Sequence, residues 1–240
     1  MIELIDVTKY YGLKEVGLKD VSLTFKKGEI TGVLGQNGSG KSTLLKAVMG
    51  LGELNKGKIL IDGKSVRDQY ERMAFITEEG SFFPFMTPDE YGDFLSMFFN
   101  AFNHERYQSL LKFFDIDAKE KMKGFSKGQK AKIETAAGFS KGADIILMDE
   151  PFLGKDIVTR RDFLKLMNAS LRADETILVA THLLDEMENL LDRVVVLRYG
   201  RVLADFYMDE IREQGISLSE EYLSLGGFET DRYQQLAKEM

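Results

Sequence analysis

Apolar and polar residues alternate over Ile2-Glu-Leu-Ile-Asp-Val and again over Val21-Ser-Leu-Thr-Phe. A period of two predicts half-buried strands, and Lys26-Lys27-Gly28 supplies a turn after the second. Ile30-Thr-Gly-Val-Leu34 is instead a short continuous apolar run, the mark of a strand covered on both faces. From Lys41 to Met49 the period becomes helical, with Leu44, Leu45, Val48 and Leu51 on one side and Gly50 as the stop. Lys58-Ile-Leu-Ile61 closes on the turn Asp62-Gly63, and Met73 to Ile76 reads as a further strand. Thr87-Pro88 has the chemistry of an N-cap followed by a first helical residue, and helices are predicted near 88–99, 104–115 and 126–140. Short apolar strands then return at Asp144 to Met148, Thr176 to Ala180 and Arg193 to Leu197. Strands alternating with helices predict a parallel sheet with helices packed on it. The expected fold is therefore α/β, with an antiparallel β part at the N-terminal end and an all-helical insert at about 79–140.

Composition narrows the function classes. The chain has 240 residues, 44% hydrophobic and 30% charged, enough to bury a core, which excludes disordered and collagen-like classes. It contains no cysteine, so disulfide frameworks and Cys-based zinc or iron–sulfur sites are excluded. No apolar run reaches the roughly 18 residues of a membrane helix, and Met1-Ile-Glu-Leu-Ile-Asp does not read as a signal peptide. The net charge is −7, and from Met208 onward eight acidic residues face three basic ones. That acidic stretch, 206–240, is expected to form a tail of short helices after a domain spanning 1–205. A duplex-binding protein would carry the opposite sign, so nucleic acid is not an expected partner.

Three segments carry chemistry. Gly35-Gln36-Asn37-Gly38-Ser39-Gly40-Lys41-Ser42 lies between a strand and a helix and matches the phosphate-binding loop G-x-x-x-x-G-K-[ST]. Its glycines let backbone N–H groups converge on an anion, and the helix start adds unsatisfied donors and partial positive charge. Lys41 is placed for the β- and γ-phosphates and Ser42 for Mg²⁺. Ile145-Ile-Leu-Met-Asp149-Glu150 puts two carboxylates at the carboxyl end of a strand, where ligands bind in open α/β sheets. Asp149 is expected to organise the metal and Glu150 to polarise an attacking water. In Phe125-Ser-Lys-Gly-Gln129, Ser126 and Gln129 have capping-box spacing, so a second helix starts there; capping chemistry alone gives an ordinary capped helix, and Gly128 in the first turn leaves room for an anion to approach.

A phosphate-binding loop, an S-x-G-Q helix start and an apolar-D-E strand, in this order, resemble the ATP-binding cassette family. The F-S-K-G-Q run is similar to that family's L-S-G-G-Q signature, and the likeness covers about residues 1–205. The resemblance implies ATP and Mg²⁺ as cofactors and an ATPase core with a mixed sheet. It implies a head-to-tail pair of such subunits, identical or not, with each nucleotide held between the loop of one chain and the signature of the other. A separate integral membrane permease would be driven from its cytoplasmic face. It extends the nucleotide set to Tyr11, placed against the adenine, to Thr43, to Ser126, Lys127, Gly128 and Gln129, and to Asp156 at the pair's seam. His182 resembles the switch histidine that contacts the γ-phosphate, joining Lys41 and Glu150 as catalytic residues.

Some positions depart from the pattern. Glu78 stands where the family usually has glutamine, and is expected to be a metal ligand beside Ser42 and Asp149, or a pH-sensitive gate; a shifted alignment would give that place to Glu79. Lys127 replaces a signature glycine within a run of six lysines from Lys119 to Lys132, and Lys155 replaces an apolar residue before Asp156. Ten of seventeen phenylalanines lie between Phe75 and Phe114. Phe94, Leu95, Phe98, Phe99 and Phe102 follow helical spacing and are expected in the core. Phe82, Phe83, Phe85 and Met86 form a proline-broken apolar run, and the resemblance makes it part of a groove for the membrane subunit. The short tail and lysine-bearing signature look like export-type cassettes. The alternative is an ATPase of the same class acting on nucleic acid or ribosomes, although such relatives usually carry two cassettes or a long coiled-coil insertion.

Overall fold

The structure is a computed structural model that describes residues 1–12, 15–77, 83–151, 160, 163–165, 167, 175–181 and 187–225. Ten strands form two sheets among these residues. The first sheet has the order β2-β1-β4-β5 and is antiparallel, built from β1 (Ile2–Tyr11), β2 (Glu15–Phe25), β4 (Lys56–Ile61) and β5 (Lys64–Ser65). The second is mixed, with the order β10-β9-β3-β8-β7-β6. Its strands are β3 (Ile30–Leu34), β6 (Met73–Thr77), β7 (Ile145–Asp149), β8 (Thr176–Ala180), β9 (Arg193–Arg198) and β10 (Arg201–Tyr207). All neighbours are parallel except β10, which turns back antiparallel on β9.

The unbroken apolar runs follow from burial on two faces. Ile146, Met148, Ile177, Val179, Val194 and Val196 pack into one core, with Ile133, Ala137 and Phe139 of the helical region. Their sequence neighbours Leu147, Leu178, Val195 and Leu197 pack into the other, with Leu44, Leu45 and Val48 and with Ile2, Leu4, Leu18 and Phe25 of the antiparallel sheet. Helix α1 (Lys41–Val48) thus sits between the two sheets. Helices α2 (Pro88–Ser96), α3 (His104–Phe113) and α4 (Lys127–Ser140) come between β6 and β7 in the chain and cover the opposite face.

Capping chemistry sets the helix starts. Thr87 and Glu90 complete a capping box at α2, and Asn103 caps α3. Several predicted boundaries shift. β1 runs on to Tyr11 and β2 begins at Glu15, because bulges near Val7, Lys9 and Asp20 break the alternation without ending the pairing. β10 was not foreseen; its half-exposed residues give little apolar signal. The acidic segment enters only after Tyr207, as α5 (Met208–Glu213) and α6 (Leu218–Ser224). Helix α2 ends at Ser96, so the aromatic stripe divides: Phe94, Leu95, Phe99 and Phe102 pack on the core while Phe98 is exposed. No helix among the described residues is long and apolar enough to cross a membrane.

Candidate nucleotide site

β3 delivers the chain to the carboxyl edge of the parallel sheet, and the loop 35–40 turns it into α1. Gly40 is the N-cap residue of α1, with φ of 110°. A Cβ there would sit 2.5 Å from the carbonyl oxygen of Gly17, so both the backbone hand and the close approach of β2 require glycine. Lys41 follows with its side chain buried. Its Nζ donates to the carbonyl oxygens of Gly35 at 2.9 Å and Gln36 at 3.3 Å, and lies 3.7 Å from Glu150 Oε1. The ammonium is therefore folded under the loop beside a carboxylate.

β7 brings the acidic pair to the same edge. Asp149 Oδ1 accepts a hydrogen bond from Ser42 Oγ at 2.9 Å. These are hard oxygen donors on adjoining elements, the donor chemistry that Mg²⁺ prefers. The pair fits the ion, although the described residues hold no cluster of three or more His, Cys, Asp or Glu side chains. Glu150 takes left-handed backbone, φ 48°, and its N–H donates to Ala180 O at 2.8 Å. A non-glycine residue held in that region stores strain, a feature that clusters at functional sites. Here the conformation turns Glu150 into the cleft that Lys41 and Ser42 line.

That cleft encloses about 200 Å³. Of the residues expected in the site, Tyr11, Asn37, Gly38, Gly40, Lys41, Ser42, Thr43 and Glu150 line it. Tyr11 keeps an exposed ring at the end of β1, with Lys9 Nζ 5.4 Å from its centroid. Gly35 does not line this cleft, and Gln36 and Ser39 line a second hollow together with Asn37 and Gly38. Glu15, Val16 and Gly17 also line the cleft. Sequence reasoning missed them, because the start of β2 carries neither alternation nor a recognisable motif.

The second helix start is built as expected but stands elsewhere. Ser126 Oγ accepts from Gln129 N at 3.2 Å, and Gln129 Oε1 accepts from Ser126 N at 2.9 Å. Ser126 and Lys127 are exposed, and none of Ser126, Lys127, Gly128 or Gln129 lines the Lys41 cleft. Lys119, Lys121 and Lys123 likewise face solvent, with Lys121 paired to Glu90 at 2.8 Å. β6 ends at Thr77, in register with Asp149, and Glu78 would follow it. Glu78, Glu79, Phe82, Lys155, Asp156 and His182 lie outside the described residues.

A P-loop at the carboxyl edge of a mixed sheet with an acidic pair bonded to it defines a nucleotide-hydrolysing site. The sequence model of the family described as "ABC transporter" matches residues 18–153. The chain is 32% identical over 222 residues to the ABC transporter ATP-binding protein YtrB of Bacillus subtilis (strain 168), covering 91% of this chain and 76% of that protein. It is also 32% identical over 216 residues to NatA of the same organism, covering 85% and 88%. Among solved structures, the ATP-binding subunit of an ABC transporter matches with a TM-score of 0.83 at 31% identity, over 94% of this chain and 99% of that one. A dimeric ATP-binding cassette in a post-hydrolysis state, bound to ADP and Pi, matches with a TM-score of 0.77 at 25% identity, over 87% and 99%. The chain belongs to the ABC transporter family. It is an ATP-binding subunit of that family and an ATPase.

Proposed function

We propose that two copies of this chain, or this chain and a related subunit, hold each ATP between the P-loop of one and the Ser126 helix start of the other. The reading rests on one observation: the two anion-binding helix starts of a single chain do not share a cleft. Each is half of a cradle, and a head-to-tail pair brings unlike halves together. The adenine stacks on Tyr11, the phosphates lie along Gly35 to Thr43, and the α4 start at Ser126 to Gln129, with its exposed Ser126 and Lys127, closes over the γ-phosphate.

Bound Mg²⁺, held by Ser42 and Asp149 with Glu78 as a third ligand, supplies charge neutralisation at the phosphate oxygens. Lys41 leaves the Gly35 and Gln36 carbonyls and turns to the β- and γ-phosphates as ATP enters. Glu150, released from that ammonium, accepts a hydrogen bond from the attacking water and orients its lone pair toward phosphorus. The new P–O bond forms as the bond to the β-phosphate oxygen breaks. His182 adds a donor to the γ-phosphate and Asp156 lies at the seam. Binding closes the pair and hydrolysis opens it, a shift of population by differential affinity.

The motion is delivered to a membrane permease of export type, at the cytoplasmic face of the membrane. Exposed Phe83 and Phe85 support a docking groove beside α2, where Phe83 and Phe94 meet edge to face at 5.1 Å. The test is co-purification of the full chain with membrane and with ribosome fractions, together with phosphate release. Recovery with an integral membrane protein that stimulates turnover is the expected result. Recovery with ribosomes alone would contradict the transport reading.

A further inference from the structure

β9 and β10 are joined by a two-residue turn, Tyr199-Gly200, in which both residues take left-handed backbone, φ 51° and 76°. A turn of this hand suits the twist of a two-stranded ribbon, and its first position favours asparagine, aspartate or glycine. An aromatic residue there is strained, and Tyr199 is 77% exposed, so burial of the ring does not offset the strain. Within the hairpin the ring meets the Arg198 guanidinium, 5.4 Å from its centroid, a contact made at an exposed site.

β3 and β9 are parallel neighbours, so the loop after β3 and the turn after β9 emerge at one edge. Gly200 N donates to Ser39 O at 2.9 Å, and Lys19 N donates to Gly200 O at 2.8 Å, which ties the turn to the P-loop. Between turn and loop lies a hollow of about 70 Å³, lined by Gln36 to Ser39, Leu197, Arg198 and Tyr199. Ser39 is only 5% exposed, and its hydroxyl has no hydrogen-bond partner among the described residues. A polar group or water entering the hollow would find this hydroxyl available to bond. Asn37 and Gly38 line this hollow and the nucleotide cleft alike, so a surface that caps one runs onto the other.

We propose that Tyr199 and the hollow beside it are a docking surface for the second copy of this chain, extending the nucleotide seam past the P-loop. The proposal rests on the sandwich reading above. The shared residues Asn37 and Gly38 make the hollow continuous with the nucleotide cleft and so with the proposed seam, which favours the second copy over the permease. Tyr199 anchors the contact through its ring, and the partner delivers a polar group to the hollow.

The experiment places Tyr199→Asn and Tyr199→Phe in a Glu150→Gln background and measures the MgATP-dependent dimer by sedimentation equilibrium. Asparagine fits the turn better than tyrosine, so folding survives and the melting temperature is unchanged or higher. Binding of a fluorescent ATP analogue to the single chain is unchanged. The dimer dissociation constant rises about ten-fold or more for Tyr199→Asn, the loss expected of a truncated interface aromatic, and much less for Tyr199→Phe. If Glu150→Gln itself does not dimerise, the sandwich reading fails and this proposal with it. If it dimerises and Tyr199→Asn dimerises equally well, only this proposal is overturned. Equal dimerisation with loss of permease co-purification would assign the surface to the permease and also overturn it.

Discussion

The hydroxyl of Ser42 donates to Asp149 Oδ1 at 2.9 Å, joining the first turn of α1 to the end of β7 across 107 residues of sequence. It links the phosphate-binding and acidic elements directly, and it sets two hard oxygen donors side by side, the donor chemistry that Mg²⁺ prefers. Asp149→Asn keeps the shape of the contact but removes the charge. The Mg²⁺ concentration for half-maximal hydrolysis is expected to rise about 10- to 100-fold, the range seen when groups around a metal are changed. An unchanged Mg²⁺ titration would remove Asp149 from the metal site.

Lys41 Nζ donates to two loop carbonyls and lies beside the Glu150 carboxylate. Lys41→Met keeps most of the buried volume and removes the charge. Phosphate release is expected to fall about 10²- to 10³-fold, the cost of losing a donor aimed at developing negative charge. Turnover at the parental rate would show that the ammonium serves the loop alone.

Ser126 both starts α4 and, in the proposed pair, faces the γ-phosphate of the other chain's ATP. Two variants separate these roles. Ser126→Ala loses the cap and is expected to cost about 1 kcal/mol of stability. Ser126→Asp keeps a good cap and sets a negative charge against the phosphates, so the melting temperature is retained while the ATP-driven dimer is lost. Retention of that dimer in Ser126→Asp would count against a phosphate contact.

Burial pushes the Lys141 ammonium from its ordinary 10.5 down to about 8. Its Nζ donates to Met73 O and lies 3.8 Å from the Phe99 ring centroid. Between about pH 8 and 10.5 the unfolded chain holds a proton that the folded chain has released, so this residue makes stability rise with pH across that window. Below it both states are charged, and the penalty for burying the charge is fully present. Lys141→Met removes the dependence. Thermal melts from pH 7 to 10 should show the parent gaining on the variant above pH 8, and parallel profiles would contradict the assignment.

The parts of the site fixed by local chemistry were legible in the sequence. Gly40, Lys41 and Ser42 lie next to one another because a phosphate cradle is one turn of chain, and the Ser126–Gln129 spacing is one turn of helix. Ile145 to Asp149 announced a doubly buried strand. Relations across the fold were not legible. Nothing near Ser42 in the sequence names Asp149 as its partner, and nothing near Glu150 announces the left-handed backbone that turns it into the cleft. Glu15 to Gly17 were missed because bulges around Lys9 and Asp20 break the period of two close to where β1 and β2 line the cleft. β10 was missed because a half-exposed strand at the sheet edge lacks a continuous apolar run. That Ser126 does not line the cleft of Lys41 was foreseen only through the family resemblance; no local pattern in the chain says which surface the α4 start faces.

The most direct measurement is the mass in solution of the Glu150→Gln chain, by light scattering, with and without MgATP. The account predicts one chain without nucleotide and a two-chain species with MgATP, reversed when the Mg²⁺ is chelated. A single-chain mass at saturating MgATP, with nucleotide demonstrably bound, would contradict the pairing of two copies of this chain.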